Sequence, residues 1–162
     1  PDTSVTEDRS TRKKGRDNGR CKEQLITEKA YKSFKQFITE ITDEELAGVP
    51  CLFGEHLYLC PRDLPSPKKG LKVLRHGLHL GSIVGGERFE PSHSLALALN
   101  VEKLKKAFAT DHSGAISYIG GNVLPCENEK GWHVITLGSF PLGWGKASNG
   151  MMKNHYPKGL RR

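Results

Sequence analysis

Residues 132–162 read WHVITLGSFPLGWGKASNGMMKNHYPKGLRR and contain three short segments with strand character. β-Branched and aromatic residues dominate 132–137, which is typical of a β-strand. Gly138 and Ser139 are turn residues, and 140–146 is predicted to be a second strand. The Ala-Ser-Asn-Gly sequence at 147–150 predicts another turn, because an Asn-Gly pair tolerates positive φ. Residues 151–156 are predicted to be a third extended segment, so the whole stretch predicts a small β unit.

The charge of this stretch is one-sided. No Asp or Glu occurs in 132–162, whereas five basic residues do: Lys146, Lys153, Lys158, Arg161 and Arg162. Trp144, His155 and Tyr156 lie among these cations. Cations neutralise phosphates and release counterions, and flat rings stack on unpaired bases. The pattern favours a nucleic-acid-binding surface; the alternative is a β core whose basic end is only solvated.

The order of residues is more specific than their composition. Segments 140–146 (FPLGWGK), 153–161 (KNHYPKGLR) and 77–99 (GLHLGSIVGGERFEPSHSLALAL) resemble the C-terminal region of bacterial RNA cytosine-5 methyltransferases of the Sun (Fmu) family, in particular the RsmF type. The resemblance extends over residues 25–162. Because those proteins end in a PUA-like RNA-binding domain, it implies an α+β fold, in which a small α/β domain with an antiparallel sheet precedes a PUA-like small β-barrel domain.

The resemblance also implies a function. The chain would be the RNA-binding C-terminal region of an rRNA cytosine-C5 methyltransferase that depends on S-adenosylmethionine. Its partners would be ribosomal RNA or the small ribosomal subunit, together with an upstream catalytic domain of the same protein. This piece would dock the RNA, and the full-length protein would be the enzyme, with a role in rRNA processing and ribosome biogenesis.

The catalytic and cofactor motifs of that family do not occur in this chain. The family places a cysteine in an Asp-Ala-Pro-Cys-Ser-Gly context and a second in a Thr-Cys context, where a thiolate attacks the cytosine ring. Here Cys51 follows Pro50 but precedes Leu52, and no Thr-Cys occurs. Cofactor binding needs a glycine-rich turn between a strand and a helix, and no helix is predicted after the glycines at 143 and 145. We therefore expect no catalytic residue and no cofactor site in this piece.

The totals limit the class of protein. A chain of 162 residues forms one domain or two small ones. Its formal net charge of +7 favours a polyanionic partner. The sequence begins at Pro1 rather than Met, which indicates a fragment. Its polar N-terminus does not resemble a signal peptide, and no apolar run approaches the roughly 18 residues of a membrane span. We expect a cytoplasmic protein.

The four cysteines stand at positions 21, 51, 60 and 126, and none forms a Cys-x-x-Cys pair. Zinc sites usually take ligand pairs a few residues apart. We therefore expect no metal site and interpret the cysteines as free thiols.

Three segments are predicted along the chain. Residues 1–24 form a flexible basic linker, because they contain almost no apolar side chain that could offset the entropy of ordering; direct contact with RNA is an open alternative there. Residues 25–110 form the α/β intermediate domain, and residues 111–162 form the PUA-like RNA-binding domain. A basic protein-interaction or structural module is the alternative function for the whole chain.

The elements predicted before residue 132 follow from periodicity and turn residues. The first are a helix over 25–41 with Thr27 as N-cap and a turn of helix at 42–46. A hairpin or a broken strand over 51–60, a loop at 61–67 and strands over 71–75 and 78–84 follow. After these come a helix over 89–100, a second helix over 101–109 capped by Asn100 and a short helix over 115–119, and the β part begins at 122. Alternating leucines leave a strand open as the alternative for 89–100.

The candidate RNA-binding residues combine cations and rings. They are Arg75, Arg88, Lys146, Lys153, His155, Tyr156, Lys158, Arg161 and Trp144. For each cation the alternative is a solvated surface charge. For Trp144 and Tyr156 the alternative is a place in the core, which is also predicted for Trp132. Strand alternation predicts that His76 and His79 point to opposite faces, and no histidine is expected to be catalytic.

Overall fold

The computed structural model describes residues 28–63, 75–127 and 129–162. Its helices are α1 (Glu28–Ile41), α2 (His93–Ala98) and α3 (His112–Ile119). Its strands are β1 (Val49–Phe53), β2 (His56–Cys60), β3 (Leu78–Val84), β4 (Arg88–Pro91), β5 (Ala107–Ala109), β6 (Leu124–Pro125), β7 (Gly131–Leu137), β8 (Phe140–Ser148) and β9 (Met151–Asn154). Single turns of 3₁₀ helix lie at Val101–Lys103 and Lys158–Leu160.

The first sheet is antiparallel, with strand order β1-β2-β3-β4. Helix α1 lies against β4, because its apolar residues recur on one side of the helix. Ala30, Phe34 and Ile41 are buried on that side, whereas its lysines are exposed. The hairpin predicted over 51–60 and the strand predicted over 78–84 are confirmed.

The second sheet curls into a half-barrel with strand order β5-β7-β8-β9-β6. Strand β5 runs parallel to β7, and the other pairs are antiparallel. The turn between β8 and β9 is the predicted Asn-Gly pair, since Asn149 has a φ of 54° and Gly150 a φ of 73°. The three C-terminal strands are therefore confirmed, although β8 extends to Ser148 and β9 ends at Asn154.

Two apolar clusters use opposite faces of the second sheet. Val134 and Trp144 point towards α1 and the first sheet, where they join Phe34, Leu80 and Phe89 in one cluster. The alternate residues Ile135, Ala147 and Met152 pack on the other face with Tyr118 of α3. This alternation follows from the period of two in a strand. The predicted fold class is confirmed: a small α-and-β unit with an antiparallel sheet precedes a PUA-like half-barrel.

Three predicted helices differ from the structure. Residues 42–46 are not helical, because Thr42 pairs with Leu104 in an isolated bridge and its hydroxyl donates to the carbonyl of Lys103. The helix predicted over 101–109 is a single 3₁₀ turn, after which Ala107–Ala109 is strand β5. Leu104 and Phe108 nevertheless pack on the core.

The helix predicted over 89–100 begins later. Residues up to Pro91 belong to β4, since β3 offers a strand partner there. The Ser92 hydroxyl caps α2 by accepting from the Leu95 N–H. The short helix predicted near 115–119 is confirmed as α3, with Asp111 as its N-cap. The predictions for residues 1–27, including Thr27, for 64–67 and for 71–74 lie outside the described residues. The domain limits at 24 and 110 stay a prediction.

Candidate nucleic-acid interface

Strand register places Trp132, Lys146 and Lys153 side by side. Trp132 of β7 is the Cα partner of Lys146 of β8, which is in turn the partner of Lys153 of β9. Directly paired residues point to the same face of a sheet. His155 follows Lys153 by two positions, and its ring lies 4.5 Å from the Trp132 ring. We call these four residues the basic row.

The Trp132 ring packs against aromatic side chains of the core. Trp132 is half-buried, and its ring lies edge-on to Phe37 of α1 at 6.4 Å and to Trp144 at 6.2 Å. Lys146 Nζ lies 5.3 Å from the centroid of the Trp132 ring, within range of a cation–π contact. Trp132 therefore joins the core, as predicted, and also contributes to the basic row.

The basic row carries two like charges on neighbouring strands. Lys146 and Lys153 are both exposed, and like charges directly opposite each other in a sheet repel. Partial burial, with Lys146 and Lys153 close by, holds the pKa of His155 below its ordinary value, although Glu90 opposes the shift. The ring is therefore neutral at pH 7. A polyanion would relieve the repulsion between the two lysines.

Arg88 borders this region through Glu90. Its guanidinium lies 2.7 Å from the Glu90 carboxylate across two positions of β4. Since Glu90 also raises the pKa of His155, strand β4 of the first sheet lies close to the basic row. An exposed pair of this kind contributes little to stability, so Arg88 can exchange its partner for a phosphate.

The structure removes Trp144 from the stacking candidates. Its side chain is only 1% exposed, and its indole N–H donates to the Ser92 carbonyl at 2.7 Å. A base cannot reach a ring whose faces are covered by protein. The alternative of a core residue is correct for Trp144.

Tyr156 and Arg161 lie away from the basic row. Tyr156 packs with the cluster on the opposite face, 5.5 Å from the Tyr118 ring. Its carbonyl accepts from both Nε and Nη2 of Arg161, at 3.3 and 3.1 Å. These contacts tie the C-terminal 3₁₀ turn, which carries the exposed Lys158, to the sheet.

Arg75 lies at a separate cleft. The cleft is formed at the start of β3, next to Tyr58 of β2. His76 and His79 both contact the Tyr58 ring, at 5.9 and 4.9 Å. The prediction that the two histidines lie on opposite faces is wrong, because His76 precedes the strand and strand alternation does not reach it.

The candidates therefore divide into three groups. The basic row unites Lys146, Lys153 and His155, with Arg88 beside it. Arg75 lies at the cleft, and Tyr156, Lys158 and Arg161 form the C-terminal anchor. Sequence reasoning assigned Trp132 only to the core. The 138–139 turn alone would place it opposite Gly145, but a bulge at Ile135 and Thr136 shifts the register by one residue and brings it opposite Lys146.

Other kinds of site find no support in the described ranges. Among residues 28–63, 75–127 and 129–162, no group of three or more histidine, cysteine, aspartate or glutamate side chains could hold a metal ion. Within the same ranges, no helix is long and apolar enough to cross a membrane. Cys51 lies half-buried in β1.

Fold and site together define an α+β protein whose curled second sheet carries cations and rings on one face. Comparison with family models gives two matches: the methyltransferase RsmF PUA domain matches residues 105–162, and the RsmF rRNA methyltransferase first C-terminal domain matches residues 36–99. The chain therefore belongs to the C-terminal region of RsmF-type proteins of the Sun family, and it is an RNA-binding region associated with an rRNA methyltransferase. A search of curated proteins gave no significant match.

Proposed function

We propose that this region docks small-subunit ribosomal RNA through the basic row and presents it to a catalytic domain on the N-terminal side. The observation that carries the proposal is the alignment of Trp132, Lys146 and Lys153 across three neighbouring strands. Neighbouring strands lie about 4.8 Å apart, so the two ammonium groups can meet one stretch of phosphate backbone. Neutralising those phosphates releases counterions, which drives association.

The chemistry of the full-length protein would be transfer of a methyl group from S-adenosylmethionine to C5 of a cytosine. The described residues do not fit that cofactor. Gly85 and Gly86 join two antiparallel strands, and Gly143 and Gly145 lie within β8, so none of them forms a turn between a strand and a helix. We assign the cofactor to the upstream domain. The contribution of this region is to place the RNA, since a positioned reaction replaces a chance encounter.

The test is binding of the 162-residue chain to small-subunit ribosomal RNA over a salt series. We would compare the wild type with Lys146→Gln/Lys153→Gln. If each lysine neutralises one phosphate, the negative slope of log K against log salt becomes less steep by about 1.4 for unpaired RNA. A matched control is Lys32→Gln/Lys103→Gln, which removes the same charge from exposed positions outside the basic row; its slope should stay close to that of the wild type.

Two outcomes would contradict the proposal. Equal losses of RNA affinity in both double variants would mean that binding depends only on net charge. Wild-type chain that binds no RNA, but binds an acidic ribosomal protein, would favour the protein-interaction alternative.

A further inference from the structure

A cleft in the first sheet lies apart from the basic row and has the chemistry of a small binding site. It encloses about 290 Å³, just below the usual range for ligand pockets. The described residues that line it are Tyr58, Arg75, Gly77, Leu78, His79 and Ser94. None of these lining residues is acidic.

One residue that lines the cleft, His79, has a buried ring nitrogen without a partner in the described part of the chain. Nε2 of His79 is buried and makes no hydrogen bond to any residue in the described part of the chain. Leaving such an atom unpaired is unfavourable, so buried polar atoms nearly always have a partner. Burial, with a contribution from His56, lowers the pKa of His79 and keeps its ring neutral at pH 7. A neutral ring can donate or accept at Nε2, according to its tautomer.

The second group is the guanidinium of Arg75. Arg75 is exposed, and its charge reaches His79, because it contributes to the lowered pKa of that ring. A guanidinium is planar and binds a phosphate through two parallel hydrogen bonds. An exposed arginine at the edge of a cleft without acidic lining residues is suited to an anionic ligand.

The third feature is a pair of flat rings. Tyr58 and His79 are Cα partners on β2 and β3, so their side chains share one face. Their ring centroids lie 4.9 Å apart with an interplanar angle of 32°. Such a surface favours a planar ligand, and Ser94 adds a hydroxyl nearby.

We infer that this cleft binds one unpaired nucleotide of the RNA, with its phosphate on Arg75 and the edge of its base on Nε2 of His79. The inference rests on the proposed function, which supplies a polyanion with accessible bases. It extends that function to a second contact on the first sheet. Unpaired bases are recognised by this combination of ring contact and hydrogen bonding at the base edge.

The test uses nucleoside 5′-monophosphates, ribose 5-phosphate and inorganic phosphate as probes of the full 162-residue chain. Ring and imidazole NMR signals of Tyr58 and His79 report occupancy of the cleft. We expect at least one of the four nucleotides to shift both sets of signals at lower concentration than ribose 5-phosphate. His79→Phe keeps a flat ring and removes Nε2, and it should lower the affinity for that nucleotide about tenfold. Arg75→Gln should lower that affinity at least as much.

The control is Arg62→Gln, an exposed arginine just beyond β2, which should leave nucleotide affinity unchanged. An equal loss in this variant would overturn the inference, because bulk charge would then account for binding. It would also be overturned if ribose 5-phosphate or inorganic phosphate bound as well as every nucleotide, or if no nucleotide shifted the signals. Lys146→Gln/Lys153→Gln should retain the nucleotide shifts. Failure of RNA docking by the basic row is thus a separate result from failure of the cleft.

Discussion

At the scale of single residues, burial separates two tryptophans of similar sequence context. Trp144 is covered on all sides and donates its indole N–H within the core, whereas Trp132 keeps part of its ring at the surface beside Lys146. Tyr118 supports the same core from α3, because its hydroxyl donates to the Trp144 carbonyl at 2.9 Å. Burial raises the pKa of Tyr118, so the phenol stays protonated and remains a donor at neutral pH.

Removing that hydroxyl tests the contact. Tyr118→Phe should lower the free energy of unfolding by about 1 kcal/mol, the typical net contribution of a hydrogen bond. The cost stays moderate because the Trp144 carbonyl still accepts from the His155 N–H at 3.1 Å. Urea unfolding of Tyr118→Phe and of Tyr31→Phe, whose ring is at the surface of α1, would measure the difference. Similar losses of unfolding free energy in both variants would contradict a stabilising hydrogen bond from the Tyr118 hydroxyl.

Three histidines should make stability depend on pH. Partial burial lowers the pKa of His79, His93 and His155 in the folded chain. As pH falls below about 6.5, the unfolded chain takes up protons that these folded rings resist. The free energy of unfolding should therefore decrease from pH 7.5 to pH 5.5, as measured by urea midpoints. His155→Gln should show a smaller decrease, because it removes one of these rings. A larger decrease would contradict a lowered pKa of His155 in the folded chain.

At the scale of elements, the hairpin of β8 and β9 assembles the basic row. The pairing of Lys146 with Lys153 depends on the two-residue turn at Asn149 and Gly150, where both residues have positive φ. Turns of this kind match the twist of the flanking strands. A shift of β9 by one residue against β8 would send Lys153 to the face opposite Lys146.

Gly150→Ala should lower the free energy of unfolding by about 1–2 kcal/mol, because Cβ makes positive φ unfavourable. The nearest atom to an added Cβ is the Cys126 carbonyl oxygen at 3.7 Å, an ordinary contact, so the cost is conformational. Gly159→Ala is the control, since its Cβ would meet no described neighbour within 4 Å and its φ is not positive. Thermal unfolding of both variants would measure the effect. Equal stability of the two would show that the turn does not set the hairpin.

At the scale of the whole molecule, the two sheets share one apolar cluster. Phe37 of α1 contacts Phe89 of the first sheet at 5.0 Å and Trp144 of the second at 5.5 Å. The basic row lies at the edge of this shared cluster, close to β4. Packing between the sheets therefore also holds Glu90, the ion-pair partner of Arg88, near His155.

Phe37→Ala should destabilise both sheets together, by about 3 kcal/mol as expected for loss of a core phenylalanine. Amide hydrogen exchange should show equal loss of protection at Leu80 in β3 and at Val134 in β7, because regions that unfold together share one free energy. Phe140 is 70% exposed, so Phe140→Ala should change the stability measured at either amide by less than about 0.5 kcal/mol. Unequal losses at the two amides would indicate independent domains.

The sequence by itself determined the local structure of the C-terminal half-barrel and the family. Period-two patterning and the Asn-Gly turn specify β7, β8 and β9 through interactions between near neighbours, and those also fix α1 and the β1–β2 hairpin. The segments at 140–146 and 153–161 were specific enough to indicate RsmF-type proteins, which the family models confirm.

Only the tertiary structure decided which candidates act together. Residues 107–109 become a strand because β7 offers them a partner, which overrides their local preference for helix. Packing against α1 and α2 buries Trp144, and strand pairing joins Lys146 to Trp132 and Lys153. The cleft at His79 likewise depends on contacts between residues far apart in the chain. Such contacts depend on how distant segments pack, and the local pattern of one segment does not specify which distant segment it will contact.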